Sequence, residues 1–569
     1  RDSSTSRGLG DVYKRQGLER IFIPFVFFAV CCGCSSRFSS ADSTPKYESL
    51  VPCEPGISPT AWCTWGTQNR TLSIKKSTVD ADNKIMFAGD QGASLARENI
   101  NEKTVFSDGG WIDDWPQIRG DMFFLFDDGW DVKPHIDRNG EVYLFGSMIL
   151  NAEKFPTCAN PNPAERLRKL NDKVKARGWK GAGLWIAAQC ARSFPNEKLQ
   201  PNEVRQYWKT RILWSKEAGV KYWKVDWGYR CLDVDFRKML TDLGHELYPD
   251  LLIEHSIPRY PINSLSFDKR NGRFTGSGRF VDTDIATLGR IKKLLKFSDY
   301  TRVYDTIAPF TTVSTLDRTY WYLTESEKIK SNGILNIEDD VYLGAGLGCA
   351  YAIMRSNRWS SGTPHTLLLN KKCAEVIRAV RWQRIAPAFS TANSKTLVSQ
   401  KRLEDSWTFK DGQTWWKEAW GQKLHQSAPA IVARNMKLPY VVSSVKSDAD
   451  IPFIAASKSP NGAVAVAFLP RVGDIRGVYT PKVSLCVEEN ISGKKVGVFG
   501  YFDSISFKVA AKPRLVLAQD LLSDNPVDIT SECEYRDGWI ILSGRIAEKL
   551  CSIQPKGDIS APAIVFKAE

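Results

Sequence analysis

The chain has 569 residues, 43% hydrophobic, 25% charged and 11% aromatic, with 28 Pro and 40 Gly. That is a globular composition, which excludes a disordered or fibrous chain, and its length suits two or three domains. Lys and Arg number 78 against 64 Asp and Glu, a net charge of +14, yet no block of five or six like charges forms a nucleic-acid arm, so the excess serves solubility.

In chain order, residues 1–16 (RDSSTSRGLGDVYKRQ) fit no signal and are expected to be a non-native extension. Residues 17–36 read GLERIFIPFVFFAVCCGCSS: a basic residue at Arg20, an apolar run from Ile21 to Val30, then small residues and cysteines. The run is too short for a stable membrane span and reads as the core of a signal peptide. Its GCSS ending resembles a bacterial lipoprotein signal. The expectation is lipidation at Cys34, with Cys31 and Cys32 as weaker candidates, a signal over 17–34 and a polar tether over 35–57. That places the body in the periplasm, or on the outer membrane of a Gram-negative bacterium, touching lipid only through the anchor. The ten remaining cysteines, Cys53 to Cys551, show no paired CxxC spacing, and their pairing is left open.

From residue 58 to 394, short apolar runs alternate with segments of helical period, the signature of repeated βα units and a parallel sheet. The strand candidates are 61–65 (AWCTW), 122–130 (MFFLFDDGW), 181–188 (GAGLWIAA), 222–228 (YWKVDWG), 251–257 (LLIEHSI), 301–307 (TRVYDTI), 333–340 (GILNIEDD) and 365–370 (HTLLLN). Eight strands fit a closed (β/α)8 TIM barrel, so the fold class is α/β. Helices are expected at Ala164–Arg177, Ile285–Phe297 and Ala374–Trp382, whose apolar residues recur at helical spacing. Residues 395–569 are strand-rich without long amphipathic helices, for example at 463–470, 494–502 and 514–522. They read as a C-terminal antiparallel β-sandwich.

In a parallel barrel the active site forms at the C-terminal ends of the strands. In YWKVDWG the two-residue period puts Tyr222, Lys224 and Asp226 on one face and Trp223, Val225 and Trp227 on the other. A carboxylate beside an ammonium stays ionised and is competent as a nucleophile, although a structural Lys/Asp pair has the same spacing. Asp127 and Asp128 end the second strand. DDG is a common turn, but on a barrel rim two carboxylates can accept hydrogen bonds from vicinal sugar hydroxyls. Glu254 and His255 leave the fifth strand, the His reading as a structural group. The five His have no ligand spacing, and no HExxH, phosphate loop or GxSxG is present.

WCTW, FDDGW, KVDWG and an Arg-x-x-Asp strand, in this order, resemble the barrel of the clan that holds the family 27 and family 36 glycoside hydrolases, the α-galactosidases and their relatives. The resemblance implies Asp226 as nucleophile, Lys224 as a substrate contact, Asp127 and Asp128 on the galactose 4- and 6-hydroxyls, Trp65 or Trp62 lining the sugar pocket, and Glu254 on its side. The acid/base follows an Arg on strand six. Strand counting favours Arg302 with Asp305 over Arg279 with Asp282 or Asp284, since Asp284 stands where a helix N-cap belongs. The reaction implied is retaining hydrolysis of a terminal α-linked galactose or a close relative from an oligo- or polysaccharide, with the two carboxyls about 5 to 5.5 Å apart. No cofactor or metal is called for, and no nucleic-acid partner. Transglycosylation or α-N-acetylgalactosaminidase action on the same residues, and a catalytically silent sugar-binding barrel, are the rival readings. Trp65, Trp130 and Trp227 fall beside the acids, where indoles could stack on a sugar.

Overall fold

The computed structural model describes residues 47–68, 96–131, 135–136, 142–143, 146–190, 199–256, 262–303, 307–356, 369–392, 394–411, 413–414 and 416–569. The expected extension, signal and Cys34 lie outside these residues. Residues 47–569 make one compact unit.

Eight parallel strands close a barrel: β1 (Ala61–Cys63), β2 (Phe123–Phe126), β3 (Gly181–Ile186), β4 (Tyr222–Val225), β5 (Leu252–His255), β6 (Tyr300–Val303), β7 (Ile334–Glu338) and β8 (Ala350–Ile353). Closure is made by β8 pairing with β1, Ala352 beside Ala61. Six strands fall within the expected runs, and β6 begins one residue before its own. The eighth does not: Ala350–Ile353 takes the place expected for residues 365–370, of which 365–368 lie outside the described residues and Leu369 and Asn370 are helical. The local sequence explains the difference. A seven-residue helix, Val341–Leu347, ends at Gly348 with φ +64° and turns at once into β8. The whole stretch is therefore one apolar run in which helix and strand have no separate period.

Helices α1 (Pro163–Ala176), α2 (Pro201–Ala218), α3 (Val234–Leu247), α4 (Ile285–Leu295), α5 (Thr311–Lys328) and α6 (Cys373–Ile385) pack outside the strands. Helix α1 begins at Asn162, whose side chain accepts from the Ala164 amide, and buries Leu167, Leu170 and Val174. Helix α4 begins at Asp284, which accepts from the Thr287 amide at 2.8 Å, the N-cap that its sequence forecast.

Behind the barrel, an eight-stranded sheet and a five-stranded sheet form a sandwich. It is mixed rather than purely antiparallel: Ile431–Arg434 with Phe453–Lys458, Val464–Leu469 with Lys495–Phe499, and Ser484–Asn490 with Ser504–Lys508 run parallel. Alternate residues of the larger sheet serve two cores. Ile454, Val466 and Val498 face the five-stranded sheet, whereas Phe453, Ala455, Ala467 and Phe499 pack toward the barrel helices. Burial on both faces makes Val464–Leu469 a continuous apolar run. Ion pairs tie the two layers, with the buried Arg378 of α6 bidentate to Asp520 at 2.8 and 3.0 Å and the half-buried Arg402 on Asp317 at 2.6 Å. Leu50, near the start of the described chain, donates its amide to Gln519 at 2.6 Å. No disulfide joins any two of the ten described cysteines.

Candidate active site

Strand parity builds the site. On β4, Trp223 turns outward, where it donates to Ser215 at 3.0 Å and packs edge-on to Trp208. Tyr222, Lys224 and Asp226 therefore turn inward, toward the barrel axis. The register sets Lys224 beside Trp185 on one side and Glu254 on the other.

At the C-terminal end of the barrel the Lys224 ammonium lies 2.9 Å from Asp127 Oδ2 and 3.0 Å from Asp226 Oδ2. Asp127 Oδ2 also accepts from the Cys63 thiol at 3.0 Å, and Asp226 Oδ2 accepts from the Trp185 indole at 3.3 Å. All of these side chains are buried. Burial pushes the Asp127 carboxyl up, but the Lys224 charge and the hydrogen bonds from Lys224, Cys63 and the Asp128 amide outweigh it and hold the group below its ordinary value. Conversely, burial alone would discharge Lys224, and the charges of Asp127 and Asp226 more than reverse that, so it stays an ammonium. Burial and the Asp127 charge keep the Cys63 thiol protonated, and it acts as a donor.

Asp128 turns to a different partner. Arg97, from the long β1–β2 connection, reaches its Oδ2 with Nε at 2.8 Å and Nη2 at 2.7 Å. Burial nevertheless raises the Asp128 pKa, Arg97 opposing and the charges of Asp127 and Asp226 adding to the rise. Its second oxygen, Oδ1, is buried with no hydrogen-bond partner, as is the hydroxyl of Ser256 at the end of β5. A buried polar atom without a partner carries a desolvation cost of about 1–3 kcal/mol. Such atoms at a barrel mouth are suited to ligand hydroxyls.

One layer deeper, Arg302 and Glu254 pair with each other. Arg302 donates to both Glu254 oxygens, at 2.7 and 3.0 Å, and to Glu338 at 3.2 Å. Glu254 also accepts from Tyr222 at 2.8 Å and Asn336 at 2.9 Å, and neither Glu254 nor Arg302 reaches the surface. The structure thus brings Asp127, Asp128, Lys224 and Asp226 together at the mouth and sets Glu254 and Arg302 beneath them as a saturated pair. Trp65 is half-buried and packs with Met354 against the Cys63 and Leu125 cluster inside the barrel. Trp62 is fully buried on the outer face, donating to the Arg355 carbonyl and packing against Phe124 and Trp179. Trp130 is buried too, and donates to the Trp185 carbonyl at 2.9 Å, so its face is covered. Asp305 lies outside the described residues. Asp282 is exposed beside Ser277 and Arg279, and Asp284 is spent as the α4 cap.

Behind Asp226, Arg237 of α3 is fully buried and donates to the carbonyls of Val225, Asp226, Cys231 and Ser256 at 2.8 to 2.9 Å. It clamps the ends of β4 and β5 and so fixes the backbone that carries the carboxylate. His255 lies against it, 2.8 Å from the Thr241 hydroxyl. Burial and then the Arg237 charge press its pKa well below the ordinary value, so it is a neutral structural group.

Sequence reasoning passed over Trp185, Cys63, Arg97, Arg237, Asn336 and Glu338. Three carried a signal: Trp185 shares the two-residue period of Gly181 and Gly183, and Asn336 and Glu338 alternate as polar residues in an apolar strand. Arg97 and Arg237 carried none, being a charged residue on a connection and one on a helix.

A closed eight-stranded α/β barrel with converging acids at its C-terminal strand ends and a β-sandwich behind it is the class that fold and site define. No protein-family model and no curated protein matches the chain. Among solved structures it is similar to a glucosidase from Croceicoccus marinus, with 9% identity, a TM-score of 0.30, and 80% of this chain and 91% of that one covered. A glycoside hydrolase family 44 endoglucanase from Clostridium acetobutylium has 10% identity, a TM-score of 0.28 and 79% and 93% coverage. The carboxyl transferase domain of Rhizobium etli pyruvate carboxylase has 12% identity, a TM-score of 0.26 and 60% and 55% coverage. Likeness at this level carries no argument about activity, and the fold rests on the strand pairing.

Proposed function

We propose that the chain is a retaining, exo-acting glycoside hydrolase that removes a terminal α-linked galactose, or a close relative, from an oligo- or polysaccharide. One observation carries the reading: a carboxylate chain, Asp127, Lys224 and Asp226, at the barrel mouth beside a buried Asp128 oxygen that lacks a donor. The sequence resemblance to the family 27 and family 36 clan supplies the sugar.

Asp226 attacks the anomeric carbon, and its Oδ2 is held in place by Lys224 and Trp185. The glycosidic bond breaks as the acid, Asp305 in this reading, protonates the departing oxygen. Water, deprotonated by the same group, then displaces Asp226, and two inversions retain the configuration. Asp127 and Asp128 take the sugar hydroxyls, where each accepted hydrogen bond to an ionised group is worth about 1.5–3 kcal/mol. Export through the segment 17–34, with lipidation at Cys34, puts this chemistry outside the cytoplasm.

The test is release of p-nitrophenol from the α-galactoside by the wild type and by Asp226→Asn. Release by the wild type alone, with the β-product absent from the first turnover by NMR, supports the reading. No release from either protein, with raffinose and the N-acetylgalactosaminide also untouched, overturns it.

A further inference from the structure

The turn that follows Asp226 carries an aromatic pair with no role in the site described above. Trp227 is 55% exposed and Tyr229 53% exposed. Among the described residues the only other large exposed aromatic is Tyr440, in the sandwich. Single exposed apolar side chains need no explanation. Two of three on one short turn, the first of them next in sequence to the candidate nucleophile, do.

The backbone beneath them is held firmly. Ala188 donates its amide to the Trp227 carbonyl and accepts from the Arg230 amide, both at 2.8 Å, and Gln189 Oε1 accepts from the Tyr229 amide at 2.9 Å. Gly228, at φ +149°, presses on Ala188 so closely that a Cβ there would meet its backbone at 2.7–2.8 Å. Arg237 ties down the Cys231 carbonyl at 2.8 Å. The turn is therefore rigid, and both aromatic residues on it are more than half exposed. Rings on a fixed backbone lose little freedom on binding, because each has only two side-chain torsions to order.

We propose that Trp227 and Tyr229 form a stacking platform for the leaving-group side of an extended glycan, so that the substrate is a branched or polymeric carbohydrate rather than a free disaccharide. This rests on the galactoside reading of the barrel mouth. Asp226 points to the axis and Trp227, of opposite parity, stands on the rim. A terminal sugar over Asp226 leads its chain across the rim, where the apolar faces of sugar rings match the flat faces of an indole and a phenol. A protein partner is disfavoured by size. Two aromatic side chains offer at most about 250 Å² each, well short of the roughly 800 Å² per partner of a stable interface.

The full chain, Trp227→Ala, Tyr229→Ala and the double variant are run through native gels with and without soluble galactomannan, and thermal melts confirm that each is folded. The expected result is retardation of the wild type, a roughly tenfold weaker apparent affinity for each single variant, and mobility of the double variant equal to that in the plain gel. No retardation of the wild type, equal retardation of all four, or self-association of the wild type that the double variant abolishes would overturn the platform. Hydrolysis of the aryl galactoside by the same preparations is scored separately. Retardation lost in the double variant, in a wild type that releases no p-nitrophenol, keeps the platform and sinks the hydrolase.

Discussion

Buried charge is arranged in two ways in this molecule. Between barrel and sandwich it is paired one to one in Arg378 with Asp520 and in the half-buried Arg402 with the buried Asp317. At the barrel mouth it is not. Counting the mouth together with the layer beneath it, Asp127, Asp128, Asp226, Glu254 and Glu338 face three cations, Lys224, Arg97 and Arg302, a formal excess of two negative charges. Balanced pairs satisfy themselves and hold layers together. An unbalanced cluster is costly to bury, and it suits a site where positive charge develops on a sugar during bond cleavage.

Breaking the unbalanced cluster should cost activity more than stability. Asp226→Asn is expected to lower turnover by roughly 10⁴-fold with little change in melting temperature, since it lessens the negative excess. A fall in melting temperature that matches the loss of activity would mean that the mouth is merely another structural pair. At the interface the opposite holds. Arg378→Met strands the Asp520 carboxylate and should destabilise by about 3–5 kcal/mol, whereas adding Asp520→Leu should restore most of that. Turnover per folded molecule should not change, and denaturant unfolding beside initial rates measures both.

Lys224→Met sharpens the contrast, because it removes the cation that Asp127 and Asp226 share. A loss of about 10²-fold in kcat/KM is expected. Without the ammonium the Asp127 carboxyl rises, so the acid limb of the pH–rate profile should move to higher pH. An unmoved limb would show that Lys224 does not hold Asp127 ionised.

The smallest effect concerns Asp131, a buried acid beside the mouth held by three neutral donors, the Gly146 and Met148 amides and the Ser147 hydroxyl. Burial pushes its carboxyl up to about 6 from 3.8. Between those values the folded chain binds more protons than the unfolded one. Stability from this group is therefore complete below about pH 4 and falls as pH rises through 6, by at most about 3 kcal/mol. Asp131→Asn should flatten that slope in unfolding curves taken from pH 4 to 7. An unchanged slope would assign it to other groups.

Most of the barrel was legible because its signals are local. YWKVDWG alternates in and out with no help from the rest of the chain, and Asp284 caps α4 within three residues of its own position. The eighth strand was not legible, since Ala350–Ile353 follows a buried helix without any change in texture. Nor was the sandwich's parallel pairing, which joins segments that are not consecutive. In the site, sequence placed Asp127, Asp128, Lys224 and Asp226 on strand ends. It could not show that Glu254 is saturated by Arg302, Tyr222 and Asn336, nor that Arg97 comes from the β1–β2 connection to hold Asp128.

The same division holds for the tryptophans. Strand period by itself determined that Trp227 stands on the face opposite Asp226. Only the tertiary structure decided that Trp62 and Trp130 are covered while Trp227 is open. The physical reason is that backbone alternation repeats every two residues and is set within the strand, whereas burial and charge pairing depend on which distant segments the closed barrel brings against each side chain.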